Sequence, residues 1–258
     1  VFHNKIKSLL IRCCANNSNV LIDIGVGRGG DMYKWNKCNI NRVIGFDVDE
    51  NSIEDAKKRY QLCDIDKNSS SFTFVCHNDL ETFVNSLHNE KVSVISCQFA
   101  IHYYFKNERM INNLFENINK MMKTNGVFFG TFMCADNLEC LTNGFTKPFK
   151  NNSFCINPLE YNTTEKYGNR LDVHLSNTLY FGEASISVEY LVFKQVLEEK
   201  AYEYGFDLVQ YKGFEEYYEE NLKTSSPILL SNDNQICSFC YSTFVFIKKR
   251  NPLKESVV

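Results

Sequence analysis

The stretch Val20 to Trp35, reading VLIDIGVGRGGDMYKW, constrains the fold of this chain more than any other. An apolar, β-branched run (Val20, Leu21, Ile22, Ile24) surrounds Asp23 and passes into a turn holding Gly25, Gly27, Gly29 and Gly30. A buried strand therefore runs straight into a glycine-rich loop. Glycine turns the backbone at positive φ and leaves no Cβ between the main chain and a ligand. Asp31 is placed to cap the helix that follows.

A second apolar run, Arg42 to Phe46, ends at Asp47. It lies about 20 residues beyond the loop, where a strand-two carboxylate can receive the two hydroxyls of a ribose. Nicotinamide-binding folds share both features. Asp23 separates the readings, because an acid two residues ahead of the first glycine suits a cationic amine, as in S-adenosylmethionine, and repels a pyrophosphate.

Around this centre the pattern alternates. Residues 2 to 14 form an amphipathic helix with Ile6, Leu9, Leu10 and Cys13 on one face. Asn51 to Leu62 reads as helix, Phe72 to Cys76 as strand, Leu80 to Leu87 as helix and Val92 to Cys97 as strand. This order predicts a parallel sheet covered on both faces, with a ligand across the carboxyl ends of its strands. Asp79 and Gln98, with Phe99, end strands three and four and converge there. Glu108 to Lys123 is a long helix stopped by Thr124-Asn125-Gly126, and Val127 to Phe132 is strand five.

From Ala135 to about Asn177 the periodicity fails, which marks a substrate-binding insertion or lid. Short strands follow at Thr178 to Phe181 and Ser185 to Val188, then a helix from Leu191 to Tyr204. Glu189, just ahead of that helix, reads equally well as its N-cap. A strand (Phe206 to Tyr211), an acidic helix (Phe214 to Leu222) and a last strand (Tyr241 to Lys248) complete the chain.

The expectation is an α/β, Rossmann-like class I S-adenosylmethionine-dependent methyltransferase, with a seven-stranded, mostly parallel sheet whose last strand is antiparallel. It is expected as a single domain over 1–258: an arm at 1–15, a core at 19–134, an insertion at 135–190 and completion of the sheet at 191–250. With 258 residues, 44% of them hydrophobic, one full core can be buried. No apolar run approaches the ~18 residues of a membrane span.

Eleven cysteines, an odd number set in apolar runs, point to reduced thiols in a protein that is not secreted. Cys237 and Cys240 form a C-x-x-C pair without a second pair to complete a zinc site, so no metal is expected. The net charge of −3 and the lack of a basic tail restrict any nucleic-acid contact to a local one. A first residue of Val1 suggests a piece excised from a longer polypeptide.

The chain also resembles the mRNA cap (guanine-N(7)) methyltransferases of eukaryotes and large DNA viruses. The matching motifs are FHNKIKSLLI at 2–11, DIGVGRGGDMYKW at 23–35, KRY at 58–60, SCQFAIHY at 96–103, VEYLV at 188–192 and YSTFVFIKK at 241–249. Its asparagine- and cysteine-rich composition is similar to the methyltransferase part of a large-DNA-virus capping enzyme. That implies upstream triphosphatase and guanylyltransferase domains and the capped RNA 5′ end (GpppN) as partner, and leaves the need for a stimulatory subunit open. A viral chain would act in the host cytoplasm and occur in the virion, a cellular one in the nucleus.

The resemblance further implies that Lys7 and Asp23 hold the methionine end of S-adenosylmethionine, with Gly25 giving backbone access. Asp47 would take the ribose, Asp79 the adenine, and Gln98 and Phe99 the region of the sulfonium. Guanine contacts fall on His102, Tyr103, Glu189 and Tyr241, and phosphate contacts on Arg28 and Arg59, with Asn4 at the pocket edge. Two positions depart from the family: Val188 replaces a proline, and Val26 a cysteine.

Guanine nitrogen-7 carries a free lone pair and no proton, so its methylation needs no general base. Glu189, His102 and Tyr103 would act by positioning. A methyltransferase of another substrate and a non-catalytic, stimulatory subunit remain as alternatives. The subunit would be expected to have lost Asp23, Gly25 or Asp47.

Overall fold

A computed structural model describes residues 1–175, 186–249 and 252. Helix α1 (Phe2–Ala15) leads into β1 (Val20–Ile24), α2 (Met32–Lys37), β2 (Arg42–Asp47), α3 (Glu50–Leu62), β3 (Ser71–Cys76), α4 (Leu80–Ser86) and β4 (Val92–Gln98). A 3-10 turn (Ile101–Lys106), α5 (Glu108–Met121), β5 (Met122–Met133) and α6 (Ala135–Leu138) follow. Then come β6 (Phe149–Lys150), β7 (Phe154–Glu160), β8 (Arg170–Leu175) and β9 (Ser187–Tyr190). The chain closes with α7 (Lys194–Glu203), β10 (Phe206–Gly213), α8 (Phe214–Leu222), α9 (Asn232–Phe239) and β11 (Tyr241–Lys248).

The main sheet has the order β10-β11-β5-β4-β1-β2-β3. β11 is antiparallel to both its neighbours, and the pairs among β1 to β5 are parallel. This is the α/β, mostly parallel architecture expected from the alternation. The order reverses beside β1, which pairs with β2 on one side and β4 on the other. Crossovers leave the sheet in opposite directions there, so a crevice opens at the carboxyl ends of β1 and β4. Apolar side chains pack on both faces, with Phe128, Phe115 and Phe244 in one layer and Trp35, Phe72 and Val245 in the other.

Several expectations need correction. The segment after Ala135 is not irregular: β6 to β9 form a second, antiparallel sheet. Its strands escape detection because Asn157 and Pro158 interrupt the alternation of β7, which slips register between Pro158 and Glu160. The expected strand at Ser185 to Val188 is found at Ser187–Tyr190, and Thr178 to Phe181 lies outside the described residues. Glu189 is therefore a strand residue and no helix cap, since α7 begins at Lys194.

α5 stops at Met121, ahead of Thr124-Asn125-Gly126. Lys248 Nζ, buried on β11, donates to the carbonyls of Asn119 (2.7 Å) and Met122 (3.0 Å). A cation from the far end of the chain thus satisfies carbonyls at the helix end, a task that backbone N–H groups perform in a glycine cap. On α1 the buried face is Phe2, Ile6, Leu10, Ile11 and Ala15, whereas Cys13 is exposed. α9 was not foreseen; it carries Cys237 and ends at Cys240, both buried and free.

Candidate active site

A cleft of about 1160 Å³ opens at the crevice beside β1. The loops after β1 to β4 form one wall, and α1, β9 and the start of β11 form the other. Of the residues singled out from sequence, Lys7, Asp23, Gly25, Arg28, Asp47, Asp79, Gln98, Phe99, His102, Tyr103, Glu189 and Tyr241 all line it. Asn4 and Arg59 do not. Both are exposed, Asn4 on the outer side of α1 and Arg59 near the end of α3.

On the sheet wall, Asp23 is buried and its Oδ1 has no hydrogen-bond partner among the described residues. Burial, and after it the nearby Asp31 charge, pushes its pKa up to about 8, although Ser96 donates a hydrogen bond to it. Ser96 can donate because its Oγ accepts from Gln98 Nε2 at 3.0 Å, while Gln98 Oε1 accepts from Thr131 Oγ1 at 3.1 Å. The amide of Gln98 is thus committed to holding Ser96 and Thr131, and meets the cleft as a fixed wall.

Gly25 sits at φ +73°, and a Cβ there would lie 2.4 Å from the Ala100 Cβ. No other residue type fits that turn without movement. Asp47 Oδ2 accepts from Gly27 N at 2.8 Å and Oδ1 from Asp49 N at 3.1 Å. Each oxygen keeps a second lone pair for a ligand. Asp79 caps α4, taking the Thr82 N–H at 2.7 Å; that backbone bond holds its carboxyl below the usual range.

Where the turn after β4 faces β9, His102 Nδ1 lies 3.7 Å from Glu189 Oε2, and the buried Nε2 has no partner among the described residues. Burial lowers the imidazole pKa, against the pull of Glu189, so the ring is neutral at pH 7. The exposed Tyr103 ring packs 4.1 Å from that of His102. Tyr241 is buried, and burial followed by the Glu189 charge holds its hydroxyl protonated. Arg28 stands at the rim, 3.4 Å from Asp55 on α3, with both side chains partly exposed.

Three residues, two lining the cleft and one buried behind it, were missed from sequence. Asp31 was expected as a helix cap, but its side chain makes no cap bond and instead pairs with Lys7 and Lys34. Ser96 reads as an ordinary strand residue. His3 lies one turn before Lys7 on the same face of α1, a spacing that could have revealed it.

The profile of the mRNA (guanine-N(7))-methyltransferase domain matches residues 1–236. The chain belongs to this family. Among its relatives is the mRNA cap guanine-N(7) methyltransferase of Eremothecium gossypii, 30% identical over 291 aligned positions covering 99% of this chain and 66% of that protein. The namesake of Saccharomyces cerevisiae is 28% identical over 86% of this chain and 53% of its own length. A probable mRNA-capping enzyme of Acanthamoeba polyphaga mimivirus is 30% identical over 81% of this chain but only 21% of its own length.

This family member thus spans about half to two thirds of the length of the first curated relatives. Among solved structures, the CcbJ methyltransferase of Streptomyces caelestis superposes with a TM-score of 0.60 at 14% identity, covering 96% of this chain and 95% of that one. The glycopeptide N-methyltransferase MtfA, solved with S-adenosyl-L-methionine, gives 0.58 at 9%, covering 95% and 87%. The fold is therefore that of the S-adenosylmethionine-dependent methyltransferases. The orphaned Asp23 oxygen and the Cβ-free turn at Gly25 fit such a donor: one offers a carboxylate to an ammonium, the other a bare backbone to the methionine chain. No helix among the described residues is long and apolar enough to cross a membrane.

Proposed function

We propose that the chain transfers a methyl group from S-adenosylmethionine to nitrogen-7 of the guanine in the 5′ GpppN cap of mRNA. One observation carries this reading: a single cleft brings a donor-type set (Asp23, Gly25, Asp47, Asp79, Phe99) together with a second set of His102, Glu189 and Tyr241.

When bound, S-adenosylmethionine supplies an electrophilic methyl on a sulfonium. Asp23 would face its ammonium, Asp47 its ribose hydroxyls and Asp79 its adenine, with Gln98 and Phe99 bounding the methyl. Across the cleft, Glu189 would accept from the ring and exocyclic N–H groups of guanine and favour the positive charge that develops on the ring. His102 Nε2 offers a hydrogen bond to the same base, Tyr103 and Tyr241 enclose it, and Arg28 meets the triphosphate. The chain's contribution is then in-line positioning, which can lower a barrier by about 7 to 11 kcal/mol in well-oriented systems.

Likeness to the longer mimivirus capping enzyme supports linkage to triphosphatase and guanylyltransferase modules, and action in the cytoplasm of an infected cell. In a cellular setting the nucleus would be the site.

Comparing GpppG with its inosine counterpart tests the guanine register, because inosine lacks the exocyclic amine that Glu189 would hold. Wild type should favour GpppG by about 10- to 100-fold in kcat/KM, and Glu189→Gln should erase most of that preference. Equal use of both caps by wild type would contradict the assignment.

A further inference from the structure

Phe99 holds an unusual position. Its φ is +56°, a left-handed value that is strained for a non-glycine residue and survives only where the surroundings over-determine it. Its N–H bonds to Thr131 O (2.9 Å) and Oγ1 (3.1 Å), which fixes the backbone. The ring is fixed from elsewhere. The His3 ring stacks on it at 5.8 Å and 25°, and Tyr241 meets it edge-on at 5.2 Å. Lys7, one turn after His3 on α1, lies 5.8 Å from the ring centroid.

His3 is itself held on three sides. Its Nε2 is 3.0 Å from Ser238 Oγ on α9, and its ring packs against Phe214 at 5.1 Å and Tyr241 at 5.0 Å. Neither Ser238 nor Phe214 lines the cleft. His3 therefore connects the packed outer layer to the residue that stands where the two walls meet.

We infer that His3 is a positioning residue for methyl transfer: its ring, anchored by Ser238 and Phe214, fixes Phe99 between the donor side and the acceptor side of the cleft. This rests on the methyl-transfer reading above. Without the imidazole a ring-sized space opens beside Phe99, and displacement of about 1 Å at a reacting centre can cost on the order of 100-fold in rate. The ring shape carries the effect. Phenylalanine should replace the histidine, and asparagine, which keeps only a polar group, should not.

The test compares His3→Ala, His3→Asn and His3→Phe in the full-length protein. It measures kcat with GpppG-ended RNA, donor affinity by calorimetry, and the 19F spectrum with 4-fluorophenylalanine at position 99. His3→Ala and His3→Asn should lower kcat by about tenfold or more while donor Kd stays within about threefold, and should split or broaden the single 19F line. His3→Phe should keep kcat within about threefold and keep one line. Wild-type kcat in His3→Asn, or one unchanged 19F line in all variants, would overturn the inference. If wild type methylates no capped RNA the functional reading fails, and the 19F comparison still decides whether His3 fixes Phe99. Should His3→Ala not fold, His3→Asn supplies the comparison.

Discussion

Lys7 Nζ stands 2.8 Å from Asp31 Oδ1, and both side chains are largely withdrawn from solvent at the edge of the cleft. Lys34 reaches the same oxygen at 2.6 Å. Burial alone would raise the Asp31 pKa, but the two lysines outweigh it and the carboxyl is held below its usual range. Lys7 is therefore aimed by Asp31 and does not pair with Asp23. Of the two buried acids beside Gly25, Asp31 is neutralised by lysines and Asp23 pairs with none.

Removing the Asp31 charge should release Lys7 and leave two lysines without their counter-charge. Asp31→Asn is expected to destabilise the protein by about 3 to 5 kcal/mol, as loss of one member of a buried ion pair does. It should also weaken S-adenosylhomocysteine binding by about tenfold or more. Denaturant titration and calorimetry read the two effects. Unchanged ligand affinity would show that Lys7 does not need this partner.

Asp23 gives the donor site a pH dependence whose sign is fixed. Its pKa in the folded chain is about 8, so at pH 7 it is mostly protonated, and a cationic amine binds best to the ionised form. Donor binding near pH 7 should therefore release close to one proton, and affinity should fall up to about tenfold per unit as pH drops below 8. Calorimetry in buffers of different ionisation enthalpy measures that proton. Asp23→Asn should abolish both the release and most of the affinity.

Two histidines, His102 buried and His3 partly buried, should make stability pH-dependent on the acid side. Burial, with the Lys7 charge after it, lowers His3 from 6.5 to about 4, and burial lowers His102 against the pull of Glu189. With folded values below unfolded ones, their contribution is complete above pH 6.5 and is lost as pH falls through the folded values. His3 alone should account for on the order of 2 to 3 kcal/mol between pH 6.5 and 4. Denaturation curves across that range should flatten in His3→Phe.

The Arg28–Asp55 pair is partly exposed at 3.4 Å, so freeing Arg28 for a phosphate costs at most about 1 kcal/mol. Arg28→Ala should raise KM for capped RNA by about tenfold and leave donor Kd unchanged. A large loss of donor binding would remove Arg28 from the acceptor side.

Gly25 should tolerate nothing larger. Gly25→Ala combines a positive φ with a Cβ 2.4 Å from Ala100, so donor binding should be lost and stability should drop by about 1 to 3 kcal/mol.

The core sheet was legible because its signals are local. Buried parallel strands read as apolar runs, and a polar residue at the end of the strand (Asp47, Gln98) or shortly after it (Asp79) is then gathered by the topology in one place. Expectations failed where a distant partner decides. Lys248 ends α5 from the other end of the sequence, and Asp31 faces Lys7 and Lys34 instead of capping its own helix. His3 acquires its role only through Ser238, Phe214 and Phe99. Arg59 and Asn4, carried over from family motifs, lie outside the cleft walls because motif spacing fixes a residue's place on a helix but not which surface that helix turns to the cleft.

The most direct measurement is to incubate the full-length protein with S-adenosylmethionine labelled in its methyl group and RNA ending in unmethylated GpppG, digest the product and identify the labelled nucleotide. The account predicts label on nitrogen-7 of the cap guanine. Label on any other atom, or donor binding without transfer to the cap, would contradict it.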